Sequence, residues 1–275
     1  MPSNTPRASK AQQRDAARQQ ALEIRAKQEK RARRSRIIAI SGLGAALAVL
    51  AVVVTIILGQ GTPSAPDLDA ETPLAGVTAP TTALDNGGIP VGADGIAGTT
   101  SGADAVTVSV YYDYMCPVCG TFEKVNAVPL DGLMRAGDIT VEYHPISILD
   151  RLSQGSQFST RSAQAAAYIA DADPENFLAF HEAMFANQPA ENTAGLSDDE
   201  IAAFAVGAGV SQTIADQLSA DGGKFTTWVA ATTAQGTLDG VTGTPTVMIN
   251  GTKVGADVDV LTPGALEDAI RAAIG

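Results

Sequence analysis

The pattern of apolar and polar positions changes character several times along the chain. Ile37 to Leu58 runs 22 residues without a charge. As a helix rising about 1.5 Å per residue it reaches about 33 Å, enough for the roughly 30 Å of bilayer hydrocarbon. Before it, residues 8–36 interleave Ala, Gln, Arg, Lys and Glu, with Leu22 and Ile24 as almost the only large apolar side chains, so a helix there has no stripe to bury. After it, residues 59–103 hold 14 Gly and Pro in 45 positions and no aromatic, a composition that buries too little surface to offset chain entropy. Residues 59–86 are therefore expected to be a flexible linker, with an r.m.s. reach of about 30 Å. Gly88-Ile89-Pro90-Val91 reads as a short leading strand, and the folded domain is expected over 87–275.

Within that domain, Val106, Val108, Val110 and Tyr112 alternate with Thr107, Ser109, Tyr111 and Asp113, a period of two that predicts a strand. Residues 117–135 read as a helix and Ile139 to His144 as a second strand. A helical block follows over about 158–238. Its stops and starts are marked by Asp173-Pro174, by a capping box at Ser197 with Glu200, and by Ser211 as a further cap. Thr246 to Asn250 and Thr252 to Gly255 flank Asn250-Gly251, a strong hairpin signal. Thr262-Pro263 opens a last helix ending near Ala273. The order is strand, helix, strand, helices, hairpin, helix, an α/β arrangement without internal repeats.

Charge divides the chain at the same place as the apolar run. Residues 1–36 carry a net +8 and the remainder −20, so the overall −12 describes neither part. Lys30, Arg31, Arg33, Arg34 and Arg36 crowd the N-terminal end of the run, whereas the next basic residue beyond it is Lys124. The positive-inside rule then places the basic arm in the cytoplasm, a single transmembrane helix over 37–58 in the bilayer, and everything after it outside the cytoplasm. The run is longer than the apolar region of a cleaved signal peptide and lacks an A-x-A-like site after it. The basic arm also suits anionic lipid head groups. All 13 aromatic residues lie between Tyr111 and Trp228, which puts the core in the second half. That half is acidic and lacks the basic face that phosphates require, so no nucleic acid partner is expected.

Candidate chemistry is confined to few residues. Cys116 and Cys119 are the only cysteines, which excludes a disulfide-scaffolded domain and a four-cysteine metal cluster. They form C-x-x-C where a strand ends and a helix begins. There, unpaired N–H groups and the helix dipole favour the thiolate of Cys116, the reactive form, and Pro117 suits the first turn because it has no N–H to leave unpaired. Cys119, one turn further in, is expected to be less accessible, making Cys116 the attacked sulfur. A purely structural disulfide would close too small a loop to constrain the unfolded chain. Zinc would need His144 and His181, whose spacing fits no finger, and no metal is expected. A copper site from Met115 and the two thiolates stays open. No G-x-S-x-G, P-loop or dinucleotide fingerprint is present.

The run Tyr111-Tyr-Asp-Tyr-Met-Cys116-Pro-Val-Cys119, with Phe180-His-Glu-Ala-Met-Phe185 and Gly240-Val-Thr-Gly-Thr-Pro-Thr246, resembles the DsbA-like thiol-disulfide oxidoreductases of the thioredoxin superfamily. The resemblance covers about 87–275, and its first and last motifs are the specific ones. It implies a thioredoxin-like fold with a helical insertion over about 158–238, a cis peptide before Pro245, and a Thr244 that faces the cysteines and pairs with substrate backbone. Pro117 and Val118, with Thr244 and Pro245, would then contact substrate. Two departures stand out. Strongly oxidising members carry His between the cysteines, where Pro117-Val118 stands here. The acid that many relatives place six residues before the first cysteine is Val110 here, leaving Asp113 and Glu142 as candidates for moving the Cys119 proton. The expected protein is a tethered oxidoreductase acting as an oxidase, without a cofactor, with a monomeric head. It would act on cysteine-containing exported proteins and be recycled by a membrane redox partner. Reductase or isomerase action, or a non-catalytic copper-binding or docking module, are the alternatives.

Overall fold

The computed structural model describes residues 71–219 and 222–275. The basic arm, the apolar run Ile37 to Leu58 and residues 59–70 of the expected linker lie outside the described residues. Among those described, no helix is long and apolar enough to cross a membrane.

Residues 71–86, expected within the flexible linker, pack onto the domain. Pro73 and Pro80 are buried, Leu74, Val77 and Ala83 lie against the core, and Asp171 accepts from both the N–H and the hydroxyl of Thr81 at 2.8 Å. A segment too poor in large apolar groups to form a core can still cover one that exists.

From there the elements are β1 (Ile89–Val91), β2 (Val106–Tyr112), α1 (Pro117–Arg135) and β3 (Ile139–Pro145). Then come α2 (Phe158–Ala172), α3 (Phe177–Ala186), α4 (Asp198–Gly207), α5 (Gln212–Ala215) and α6 (Thr226–Leu238). The chain closes with β4 (Thr246–Ile249), β5 (Thr252–Lys253) and α7 (Ala265–Ile274). The strands form one sheet in the order β1-β3-β2-β4-β5, with β2 and β3 parallel and the other pairs antiparallel. β2 is therefore central, and the turn carrying the cysteines leaves its C-terminal end.

Alternation along β2 predicts one buried face, yet all of it except Thr107 is buried, because helices cover both faces of the sheet's centre. Val108, Val110 and Tyr112 enter the main core. Tyr111 joins a smaller cluster with Ile146, Val241 and Met248, and the buried Ser109 hydroxyl donates to Glu142 on β3 at 3.0 Å.

Local signals decide most element ends. Ser197 and Glu200 form the reciprocal capping box of α4, and Ser211 caps α5. Asp173-Pro174 opens only a short 3-10 turn, because the Asp173 carboxylate takes the Asn176 side chain at 3.0 Å and not a backbone N–H. Thr262-Pro263 likewise belongs to a turn: Thr262 donates to Asp259, and α7 starts two residues later, after Gly264. In the β4–β5 hairpin Asn250 and Gly251 have φ of 49° and 75°, the paired positive values of a two-residue turn that glycine adopts without penalty. Asn250 also pairs with Thr107 through both its backbone N–H and its side-chain oxygen, which ties the hairpin to β2.

Candidate active site

Where β2 ends, the residues Asp113, Tyr114 and Met115 turn the chain into α1. Asp113 holds this turn from within: one carboxylate oxygen accepts the Met115 N–H and the other the Leu149 N–H, both at 2.9 Å. Cys116 is the N-cap of α1, in extended conformation, with Pro117 in the first turn. Its Sγ accepts the Cys119 N–H at 3.4 Å and lies 3.3 Å from the carbonyl oxygen of Thr244, to which the thiol donates. The β2–β4 pairing brings that second segment across, since Tyr111 pairs with Thr246 two residues beyond Thr244. The Thr244–Pro245 peptide is cis.

These contacts divide the two sulfurs. The Cys119 thiol donating to it, helped by the Thr244 side chain and the N–H groups of Cys119 and Val118, outweighs burial and lowers the Cys116 pKa to about 6. Cys119 goes the other way: burial, and then the neighbouring Cys116 charge, push it far above the ordinary thiol range. Both cysteines are free and buried, Cys116 at 4% and Cys119 at 1% exposure. The exposed residues at the site are Pro117 and Val118, the latter 42% exposed, so the surface beside the reactive sulfur is apolar. Thr244 and Pro245 are half-buried across from it.

Neither candidate proton carrier hydrogen-bonds to a sulfur through its carboxylate. Asp113 is buried, and burial raises its pKa to about 6 against the opposing pull of the Met115 N–H, the Ser159 side chain and the Leu149 N–H. Its carboxylate hydrogen bonds hold the turn. Glu142 faces Ser109, Asn86 and His144 on the sheet; burial works to raise it, but those partners outweigh burial and hold its carboxyl below the usual range. Among the described residues no three His, Cys, Asp or Glu side chains gather as a metal site.

Two parts of the site were not singled out from sequence. Buried His181 of α3 donates from Nε2 to the Glu123 carboxylate of α1 at 3.1 Å and hydrogen-bonds the Tyr114 hydroxyl through Nδ1 at 3.1 Å. It sits among Tyr112, Tyr143 and Phe185. Its motif was visible as Phe180-His-Glu-Ala-Met-Phe185, but its role was not. Gln188, just after α3, donates from its side-chain amide to the carbonyls of Tyr114 at 2.9 Å and Cys116 at 2.7 Å. A lone Gln after a helix carries no sequence signal.

A family model described as Thioredoxin matches residues 98–270, which includes both cysteines and Pro245. The chain belongs to the thioredoxin family. Within it, the disulfide bond oxidoreductase DsbG of Mycobacterium tuberculosis, in reduced form, is 31% identical, with a TM-score of 0.52 over 62% of this chain and 78% of that one. Oxidised DsbA of the same organism is 28% identical, with a TM-score of 0.55 over 68% and 93%. This thioredoxin-family chain is a DsbA-like protein thiol-disulfide oxidoreductase. It is also 31% identical over 147 residues to the serine/threonine-protein kinase PknE of Mycobacterium tuberculosis, spanning 51% of this chain and about a quarter, 26%, of the kinase.

Proposed function

We propose that the protein is a membrane-tethered oxidase that donates disulfides to exported proteins outside the cytoplasm. The observation that carries the direction is the asymmetry of the cysteine pair. Donors aimed at Cys116 favour its thiolate, and stabilising the reduced form makes a couple more oxidising.

In the reaction, a substrate thiolate attacks Sγ of Cys116 in the oxidised pair. The Cys116–Cys119 bond breaks, and Cys119, whose burial disfavours a charge, takes up a proton equivalent to the one the substrate thiol gave up. A second substrate thiolate then attacks the substrate sulfur of the mixed disulfide and expels Cys116 as a thiolate, a good leaving group at its low pKa. The substrate loses two electrons and gains a disulfide; the enzyme ends as the dithiol. Exposed Pro117 and Val118, with Thr244 and Pro245 opposite, form the surface on which an unfolded chain would lie. A membrane redox partner would remove the two electrons. The apolar run Ile37 to Leu58 and the basic residues before it support the tether and its orientation.

The test is refolding of a reduced, cysteine-containing substrate by the oxidised full chain. Cys116→Ser should abolish turnover. Cys119→Ser, given the same substrate in its disulfide form, should attack it with the Cys116 thiolate, release one substrate thiol and stop at a mixed disulfide that survives denaturing gels without reductant. Turnover that persists without either cysteine would sink the proposal, and a wild-type chain that turns nothing over would leave the docking or copper-binding module.

A further inference from the structure

Among the described residues, Gln188 is the side chain through which the helical insertion hydrogen-bonds the backbone of the cysteine turn. Gln188 lies between α3 and α4, and its amide nitrogen donates to the carbonyls of Tyr114 and Cys116, which flank Met115. On the other side, Asp113 binds the Met115 N–H with its side chain and the Cys116 N–H with its backbone carbonyl. The turn is thus gripped from its own strand and from the insertion. The room for the amide comes from the residue after the second cysteine: a Cβ on Gly120 would run into the Gln188 amide oxygen. Gln188 is itself placed by α3, whose Phe185 carbonyl accepts the Gln188 N–H.

We propose that Gln188 is a positioning residue for the redox pair: it fixes the Tyr114–Cys116 turn so that Sγ of Cys116 stays on the Cys119 N–H. The inference rests on the reading of Cys116 and Cys119 as the redox pair. The Cys116 carbonyl also accepts the Cys119 and Gly120 N–H groups of the first turn of α1. Pulling on that oxygen therefore sets the tilt of the peptide from which the Cys116 side chain projects. Without the amide, Tyr114 loses the hydrogen-bond partner that its carbonyl has here, and the turn relaxes toward water. The sulfur then loses aligned donors, which changes the thiolate more than the thiol.

The experiment is a pH titration of thiolate absorbance near 240 nm in the reduced full chain, with iodoacetamide rates alongside, for wild type, Gln188→Ala and Gln188→Met. The Met variant keeps length and bulk without the donor, so packing is retained. Both variants should titrate about one pH unit higher than wild type, and alkylation at pH 6 should slow about five-fold while rates at pH 9 converge. Gly120→Ala keeps Gln188 but drives a methyl group into its amide, and should shift the titration in the same direction. A lowered Tm with the wild-type titration retained in these variants would reduce Gln188 to a structural contact and overturn the inference. If wild type itself shows no low-pH thiolate, the redox-pair reading fails first, an outcome separate from failure of the variants.

Discussion

Two peptide N–H groups, the Cys119 thiol and the Thr244 side chain separate two chemically identical side chains into a reactive sulfur and a reserve. Cys116 caps a helix and Cys119 lies inside it, so N–H groups stabilise a charge on Cys116, whereas at Cys119 burial and the neighbouring Cys116 outweigh the Asp113 backbone and the Thr244 side chain. This makes stability depend on pH and redox state in a specific way. The Cys116 pKa of about 6 lies below the ordinary 9.0, so the reduced protein gains stability as pH rises from about 6 toward 9 and loses that gain as pH falls through 6. Asp113, raised to about 6 from 3.8, has the opposite sign: its contribution is intact below about pH 4 and is lost as pH rises toward 6. Denaturant unfolding of the reduced chain from pH 4 to 9 should therefore pass through a minimum near pH 6. Asp113→Asn should flatten the acid limb and Cys116→Ser the alkaline one; a reduced chain whose stability is level from pH 6 to 9 would contradict the assignment.

Among the elements, β2 and the β4–β5 hairpin assemble the site, and both were legible. Period-two alternation marked Val106 to Tyr112, Asn250-Gly251 marked the hairpin, and C-x-x-C after a strand marked the start of α1. Two features were not. Gln188 and His181 act through contacts between segments far apart in sequence, which no local pattern encodes. Residues 71–86 failed for a related reason, since composition reports what a segment can bury alone and not what it covers. That segment should matter for stability: a chain starting at Gly87 should melt roughly 5–15 °C below one that retains residues 71–86, given about 2–4 kcal/mol of lost apolar packing. Equal thermal transitions for the two would show that the segment is a passive tether.

The molecule as a whole joins a thioredoxin-family domain to a basic arm and an apolar run that would hold it at a membrane. Intact cells expressing the reduced chain should be labelled at Cys116 by a membrane-impermeant maleimide, with no need for permeabilisation. Labelling that requires lysis would place the domain on the cytoplasmic side and reverse the proposed topology. Direction of electron flow is the remaining property of the whole, because it sums every contact that distinguishes dithiol from disulfide. The full chain should therefore be equilibrated in glutathione buffers of graded ratio, with free thiols counted at each. A reversible two-electron couple near about −120 to −180 mV is expected of a disulfide donor, whereas a couple below about −250 mV would make the protein a reductase and contradict the oxidase assignment.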